Sequence, residues 1–321
     1  MIIVTGAAGF IGSCLVSKLN SLDKNNLILV DDFSNEQKNK NLDGKLFSEK
    51  IERDVFIEWF KCNNNRAEEV YHIGARTDTT EFNMSIFDKL NFNYSKELWK
   101  ICALNRIPFI YASSAATYGS GEFGFEDNHD ILDNLIPLNP YAVSKNNFDK
   151  WVLKQDDQPP FWAGIKFFNV YGPNEFHKGN MASVIFHAVH QIQSVGSVQL
   201  FRSYKKQYND GEQLRDFIYI KDVVDVLTLI ISSKKKCGLF NLGSGRARTF
   251  NDLVKATFCA MDLQPKIKYI HMPSNIRANY QYFTKANIKK IQNFYYKKQF
   301  TNLEDGVSDY VRNYLLKQEY F

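Results

Sequence analysis

Short apolar runs rich in β-branched residues alternate with helical patterns along the first half of this chain. Ile2-Ile3-Val4-Thr5 runs directly into Gly6-Ala7-Ala8-Gly9-Phe10-Ile11-Gly12, and a helical pattern follows from Cys14 to Leu22. Further strands are predicted over Leu27 to Val30 (the second), Glu69-Val70-Tyr71-His72 (the third) and Phe109-Ile110-Tyr111-Ala112 (the fourth). One amphipathic helix is predicted from Asn91 through Ala103, and another from Tyr141 through Trp151. This alternation predicts an α/β protein built on an open, doubly wound parallel sheet.

The first strand, glycine turn and helix stand in the order in which a dinucleotide pyrophosphate rests on a helix N-terminus, its charge met by free backbone N–H groups. Gly6 allows the tight turn, Gly9 the close approach of the ligand, and Gly12 the packing of helix on strand. The spacing is Gly-x-x-Gly-x-x-Gly, in the position a Rossmann fold requires. Asp31-Asp32 ends the second strand about twenty residues on, where an acid accepts hydrogen bonds from an adenosine ribose and favours NAD. Lys38, Lys40, Lys45 and Arg53 follow, and cations there suit the 2′-phosphate of NADP. The two effects oppose each other. Ile73-Gly74-Ala75-Arg76-Thr77 lies at the sheet edge that such a cofactor would cross. His72 before it reads as a packing residue, and Asn91 as either a cofactor contact or a helix cap.

Tyr141 and Lys145 are four apart, so on a helix both side chains share a face. A free tyrosine titrates near ~10, and a neighbouring ammonium together with a positively charged nicotinamide favours the phenolate. Such a tyrosine takes a proton from an alcohol as the nicotinamide takes its hydride. Ser113-Ser114-Ala115-Ala116-Thr117-Tyr118-Gly119 sits at the carboxyl end of the fourth predicted strand, the side that faces the ligand crevice. Ser114 is the hydroxyl chosen to bond the reacting oxygen beside Tyr141; a plain Ser/Thr-rich turn is the alternative.

Composition narrows the class without changing this picture. The 321 residues are 44% hydrophobic and 23% charged, with a net charge of +5. No apolar run approaches the ~18 to 20 residues that span a bilayer, and no basic region precedes Ile2, so neither a membrane span nor a secretory signal is expected. The five cysteines are scattered and never form Cys-x-x-Cys, which fits reduced thiols in a cytoplasm and no metal site. Lys234-Lys235-Lys236 and Lys289-Lys290 read as solvated faces. A mildly basic surface also suits a nucleotide diphosphate, and no nucleic-acid motif is present.

The glycine spacing, the Ser114 loop and the Tyr141/Lys145 pair together resemble the extended short-chain dehydrogenase/reductase family. Phe167-Phe168-Asn169-Val170-Tyr171-Gly172-Pro173 resembles the strand and turn that lead into the substrate lobe of nucleotide-sugar epimerases and dehydratases. His177-Lys178-Gly179-Asn180-Met181-Ala182-Ser183 is similar to the matching segment of the ADP-glyceromanno-heptose 6-epimerase family. Tyr94 to Leu98, Leu214 to Tyr219, Phe240 to Arg246 and Tyr280 to Thr284 carry the likeness through most of the chain.

The resemblance implies C6″ inversion of an ADP-heptose for the lipopolysaccharide inner core, with Tyr141 and Lys178 as proton-transfer groups supported by Lys145 and Ser114. A simple phosphate or cofactor contact is the alternative for Lys178. It places Asn169, Asn180, His187, the stretch Phe201-Arg202-Ser203-Tyr204, Arg215 and Tyr280 around the sugar nucleotide. Cofactor contacts fall on the glycine turn with Phe10 and Ile11, on Asp31, Asp32, Lys38 and Arg53, on the loop from Ile73 to Thr77, and on Asn91 and Val170. Related enzymes use NADP and carry lysine where Arg53 falls, which tips the expected cofactor to NADP, with NAD the alternative. They also form homopentamers, so a homo-oligomer is expected.

The chain departs from that family in three places. Ser203 to Gln213 is longer and more polar, the stretch at Phe201 lacks the usual Glu-Gly after the phenylalanine, and Asn180 stands where serine is common. The dinucleotide domain is expected over about 1–168, taking back about 214–243 with its runs Phe217-Ile218-Tyr219-Ile220 and Leu239 to Leu242. The substrate lobe then uses 169–213 and 244–321. A dehydratase of the same fold carries an Asp-Glu pair where this chain has Ala115-Ala116. An epimerase acting at another carbon is a nearer alternative, and a non-catalytic NADP-binding sensor a more distant one.

Overall fold

The computed structural model describes residues 1–277 and 280–321. In chain order its strands are β1 (Ile2–Thr5), β2 (Leu27–Asp31), β3 (Glu49–Glu52), β4 (Glu69–His72), β5 (Phe109–Ser114) and β6 (Trp162–Phe167). They continue with β7 (Asn169–Tyr171), β8 (Val198–Phe201), β9 (Leu214–Tyr219), β10 (Gly238–Leu242), β11 (Ala247–Thr249) and β12 (Ile267–Ile270). Seven of them form one sheet in the order β10-β6-β5-β4-β1-β2-β3, and each neighbouring pair is parallel. β11-β9-β7 make a small second sheet, and β8 pairs with β12.

β1, β2, β4 and β5 are buried along their whole length, and β1 and β2 read as nearly continuous apolar runs because helices cover both faces of the sheet. Alternate residues serve opposite sides. Val4 joins a core with Leu15 and Leu19 of the helix Phe10–Ser21 and with Val223 and Leu227 of the helix Ile220–Ser233. Ile3 joins Leu98 and Trp99 of the helix Tyr94–Leu104 and Phe148 and Val152 of the helix Pro140–Leu153.

Three expectations are corrected here. β3 has no counterpart in the sequence reading, because an edge strand buries little; only Ile51 of its four residues is buried. The strands predicted as third and fourth are therefore β4 and β5. Phe217 to Ile220 does not return to the main sheet: β9 lies parallel to β7 and antiparallel to β11 in the small one, whereas β10 joins β6 in the main sheet. Asn91 does not cap a helix either, for it lies inside a π-helical turn, Asp88–Asn93, that leads into the helix Tyr94–Leu104.

The strand order runs outward from β1 to β3 and then resumes at β4 on the other side of β1. The carboxyl ends of β1 and β4 therefore splay their following loops apart, and a crevice opens between them.

Candidate active site

That crevice holds a cavity of about 900 Å³ floored by Gly6, Gly9, Phe10, Ile11 and Gly12. Gly6 sits at φ +68°, and a Cβ on it would stand 2.5 Å from the Cα of Gly74 across the crevice; a Cβ on Gly12 would stand 2.0 Å from the Gly6 oxygen. A side chain at Gly6 would push the two loops apart, and one at Gly12 would lift the helix off the glycine turn. The helix Phe10–Ser21 opens at Gly9 with no side-chain cap and no acid in its first turn. Its free N–H groups are thus left for an external anion. A dinucleotide pyrophosphate fits this donor set.

At the far end of the cavity the acids and cations foreseen for the adenosine are already paired. Asp31 accepts from the Ala8 backbone at 2.9 Å and from Lys38, while Asp32 lies 3.6 Å from Arg53. The hydroxyl and amide of Ser34 bond Asp32 at 2.6 and 3.2 Å and hold its carboxyl below the usual range. Of Lys38, Lys40, Lys45 and Arg53, Lys38 and Arg53 line the cavity. Lys45 instead donates to the main-chain oxygen of Phe321, and burial pushes its pKa down.

The wall on the β4 side is Ile73 to Thr77. Asn91 holds this loop by both of its amide atoms, accepting from Arg76 N at 2.8 Å and donating to Arg76 O at 3.0 Å; it also donates to the Ser144 hydroxyl at 3.0 Å. It therefore shapes the cofactor wall rather than forming it. His72 is a core residue, as its sequence position suggests. Thr5 Oγ1 and Ser95 Oγ satisfy its two nitrogens at 2.7 and 2.8 Å, and burial, with the Lys145 ammonium nearby, drives its pKa to about 3.

Asn139 caps the helix Pro140–Leu153 by accepting from Ala142 N, with proline at its first position. Tyr141 and Lys145 follow in its first two turns. Burial raises the Tyr141 phenol, and the Ser114 hydroxyl bonded to it works against that shift. Lys145 donates to the Ala112 carbonyl at 2.8 Å, and burial lowers its pKa to about 8 while Asp149 opposes the change. The ammonium is thus held on β5, one turn from the phenol.

Lys178 comes from a different part of the chain, the turn Phe176–Met181, which Gly179 bends at φ +49°. Its amine lies 4.9 Å from the centroid of the Phe10 ring and 3.4 Å from Glu175, inside the cavity wall. His177 stands beside it, held by Asn41 at 3.1 Å; burial and the charges of Lys38 and Lys178 push it to about 4. Tyr141, Ser114, Lys145, Asn91 and Val170 do not belong to the wall of this cavity.

Among the residues expected around the sugar nucleotide, Arg215 is buried with carbonyls, Leu214 at 2.9 Å and Gln281, as its partners. Its guanidinium stacks 5.3 Å from Tyr280 and 5.6 Å from Phe250, and Phe201 meets Tyr280 edge-on at 6.4 Å. Tyr204 N donates to Tyr282 at 3.1 Å, and Ser203 N to Asp210 at 2.7 Å, so the polar segment after Phe201 folds over this aromatic group. Arg202 bonds the Tyr269 carbonyl at 3.3 Å. Asn169, at the start of β7, and Asn180, within the turn Phe176–Met181, are exposed, and His187 packs edge-on against Phe186. Residues to which the sequence assigned no site role include Ser34, Asn35, Tyr94 and His177 on the cavity wall and Glu175 behind Lys178.

The profile of the NAD dependent epimerase/dehydratase family matches residues 2–243. A Fusobacterium nucleatum protein named ADP-L-glycero-D-manno-heptose-6-epimerase is 46% identical over 99% of each chain. A protein of the same name from Nitratidesulfovibrio vulgaris is 44% identical over 100% of each. The crystal structure of ADP-L-glycero-D-manno-heptose-6-epimerase from Helicobacter pylori is 28% identical, covers 97% of this chain and 95% of its own, and superposes with a TM-score of 0.78. A glycine-floored crevice at the β1/β4 switch point, followed through ten strands by the same family's sequence pattern, leaves one assignment: the chain belongs to the NAD dependent epimerase/dehydratase family.

Proposed function

We propose that this protein interconverts the D-glycero and L-glycero forms of ADP-manno-heptose by inverting C6″, for the lipopolysaccharide inner core. The observation that carries the reading is Lys178. A primary amine from the turn Phe176–Met181 lines the dinucleotide cavity, separate from the helix that bears Tyr141. Bound nicotinamide supplies reversible hydride acceptance at the carbinol carbon.

The chain's own groups move the protons. Proton transfer needs heavy atoms within about 3 Å, so one base does not serve both configurations of the same carbinol. Tyr141 takes the hydroxyl proton of one epimer as the C–H bond gives up hydride and the 6″-ketone forms. With the ketone turned to present its opposite face, the Lys178 ammonium would give its proton to the carbinol oxygen as the C–H bond re-forms in the other configuration. One forward cycle leaves Tyr141 protonated and Lys178 neutral, and solvent restores both. Ser114 orients the oxygen beside Tyr141, and Arg215 with Tyr280 anchors the nucleotide end. Ala115-Ala116 after Ser114 offers no acid/base pair for an elimination.

NADP is the preferred cofactor in this reading, because Lys38 and Arg53 offer two cations at the adenosine end of the cavity. The reading carries with it a cytoplasmic, homo-oligomeric enzyme, to be checked by fractionation and sedimentation.

The decisive test is NMR of ADP-D-glycero-D-manno-heptose incubated with the protein, in which the C6″ epimer should grow in without added reductant. Tyr141→Phe and Lys178→Met should slow the first oxidation of opposite epimers. A Lys178→Met protein that oxidises both epimers normally would remove the two-base scheme.

A further inference from the structure

The turn that carries Lys178 is braced from the other end of the chain. Asn174 has φ +74° and no exposed surface, a backbone state that asparagine tolerates better than most side chains. Its Oδ1 accepts from Phe321 N at 2.8 Å, and its Nδ2 donates to Phe321 O at 3.2 Å and to Ser13 Oγ at 2.8 Å. Ser17 donates to the same Phe321 oxygen at 2.9 Å, and Lys45 does so as well. The Phe321 ring packs by Tyr314 and lies 5.4 Å from the Lys221 amine. The Tyr320 ring packs tilted, at 54° and 5.1 Å between centroids, against Phe176, the first residue of the Lys178 turn.

We infer that Asn174 and the dipeptide Tyr320-Phe321 are positioning residues for Lys178, an inference that rests on the proton-transfer role given to Lys178 above. Asn174 is four residues from Lys178. Its amide ties the root of the turn at once to the tail and to Ser13 on the cofactor-binding helix. Tyr320 packs against the ring of Phe176. Between them Glu175 bonds Ser183 N at 3.1 Å and the Tyr310 hydroxyl at 3.1 Å, leaving its remaining reach to Lys178. With the tail in place the turn has a fixed root and its only charged arm points into the cavity. Without it, the buried amide of Asn174 loses two partners and the turn is free to shift. Tyr141 stands on another helix, with its own cap at Asn139, and does not depend on this brace.

The test compares three variants in single-turnover oxidation of each purified ADP-heptose epimer, read as reduced nicotinamide. They are removal of residues 320 and 321; Asn174→Gly, which keeps the left-handed backbone but not the amide; and Lys178→Met as reference. Misplacing a reacting group by about 1 Å costs on the order of 100-fold in rate. Both brace variants should therefore lose about 10- to 100-fold on the Lys178-dependent epimer, with the other epimer oxidised at its normal rate. Equal loss on both epimers, or no loss on either, overturns the brace while Lys178→Met remains one-sided. A Lys178→Met protein that is normal on both epimers instead overturns the role of Lys178, and the brace with it. Asn174→Gly retains the whole chain, so a truncated protein that does not fold leaves the comparison intact.

Discussion

The amine of Lys166 lies 2.7 Å from Oδ2 of Asp149, and the two side chains are 1% and 0% exposed. Asp149 also accepts from Tyr111 at 3.0 Å and Ser113 at 2.6 Å, while Lys166 donates to Thr117 at 2.7 Å. A buried ion pair holds only when its remaining donors and acceptors are satisfied, and here the partners come from β5 and from the loop after Ser114. The pair thus locks the helix of Tyr141 and Lys145 to the strands beneath the Ser114 loop.

Removing one member should be costly. Asp149→Leu leaves Lys166 uncompensated and should lower stability by about 3–5 kcal/mol, and the double variant with Lys166→Met should recover a large part of that. Urea denaturation of the four proteins measures the cycle. Because Asp149 raises the pKa of Lys145, Lys166→Met should move the group that titrates near 8 upward in the pH profile of kcat/KM.

Lys38→Ala and Arg53→Ala should each weaken NADP binding by about 10- to 100-fold, the range expected for one charge-assisted hydrogen bond of ~1.5–3 kcal/mol. NAD binding should hold or improve, because each change frees an acid, Asp31 or Asp32, to accept from a ribose hydroxyl. Calorimetric titration with both cofactors checks the ratio; a loss shared equally by the two would speak against a 2′-phosphate site.

His72 makes the fold sensitive to acid. Its imidazole stays neutral in the native state down to about pH 3 but takes a proton near 6.5 when unfolded. The unfolded chain therefore binds more protons in that interval, and stability present above pH 6.5 is lost as pH falls toward 3. At about 1.4 kcal/mol per pH unit, His72 alone should remove roughly 2 kcal/mol between pH 7 and pH 5. Denaturation at the two pH values, with His72→Gln as comparison, should show a flatter dependence in the variant even though its absolute stability is lower.

Gly12→Ala should abolish dinucleotide binding. A Cβ 2.0 Å from the Gly6 oxygen meets backbone, which cannot swing aside as a side chain can, so the helix must lift from β1 and carry its N–H groups out of register. Gly44→Ala, where nothing lies within 4 Å of the added atom, is a control for space alone; at φ +72° it should cost stability but leave cofactor affinity unchanged. Fluorescence of bound NADPH reports both.

The sequence determined whatever depends on local pattern. Continuous apolar runs marked the strands buried on both faces, the glycine spacing marked the anion-binding turn, and the Tyr141 to Lys145 interval put two groups on one helix face. Resemblance of the segment from His177 to Ser183 added Lys178. Only the tertiary structure decided what depends on residues far apart in the chain. β3 emerged because an edge strand needs one buried side chain in four, too weak a period to read. β9 left the main sheet because its partners, β7 and β11, are set by packing. The pairing of Asp31 and Asp32 with Lys38 and Arg53, the burial of Lys45 against Phe321, the Asp149 to Lys166 lock and the bracing of Asn174 by Phe321 are contacts between residues whose separation along the chain says nothing of their distance. Periodicity encodes which face of an element is buried; it does not encode which other element comes to cover it.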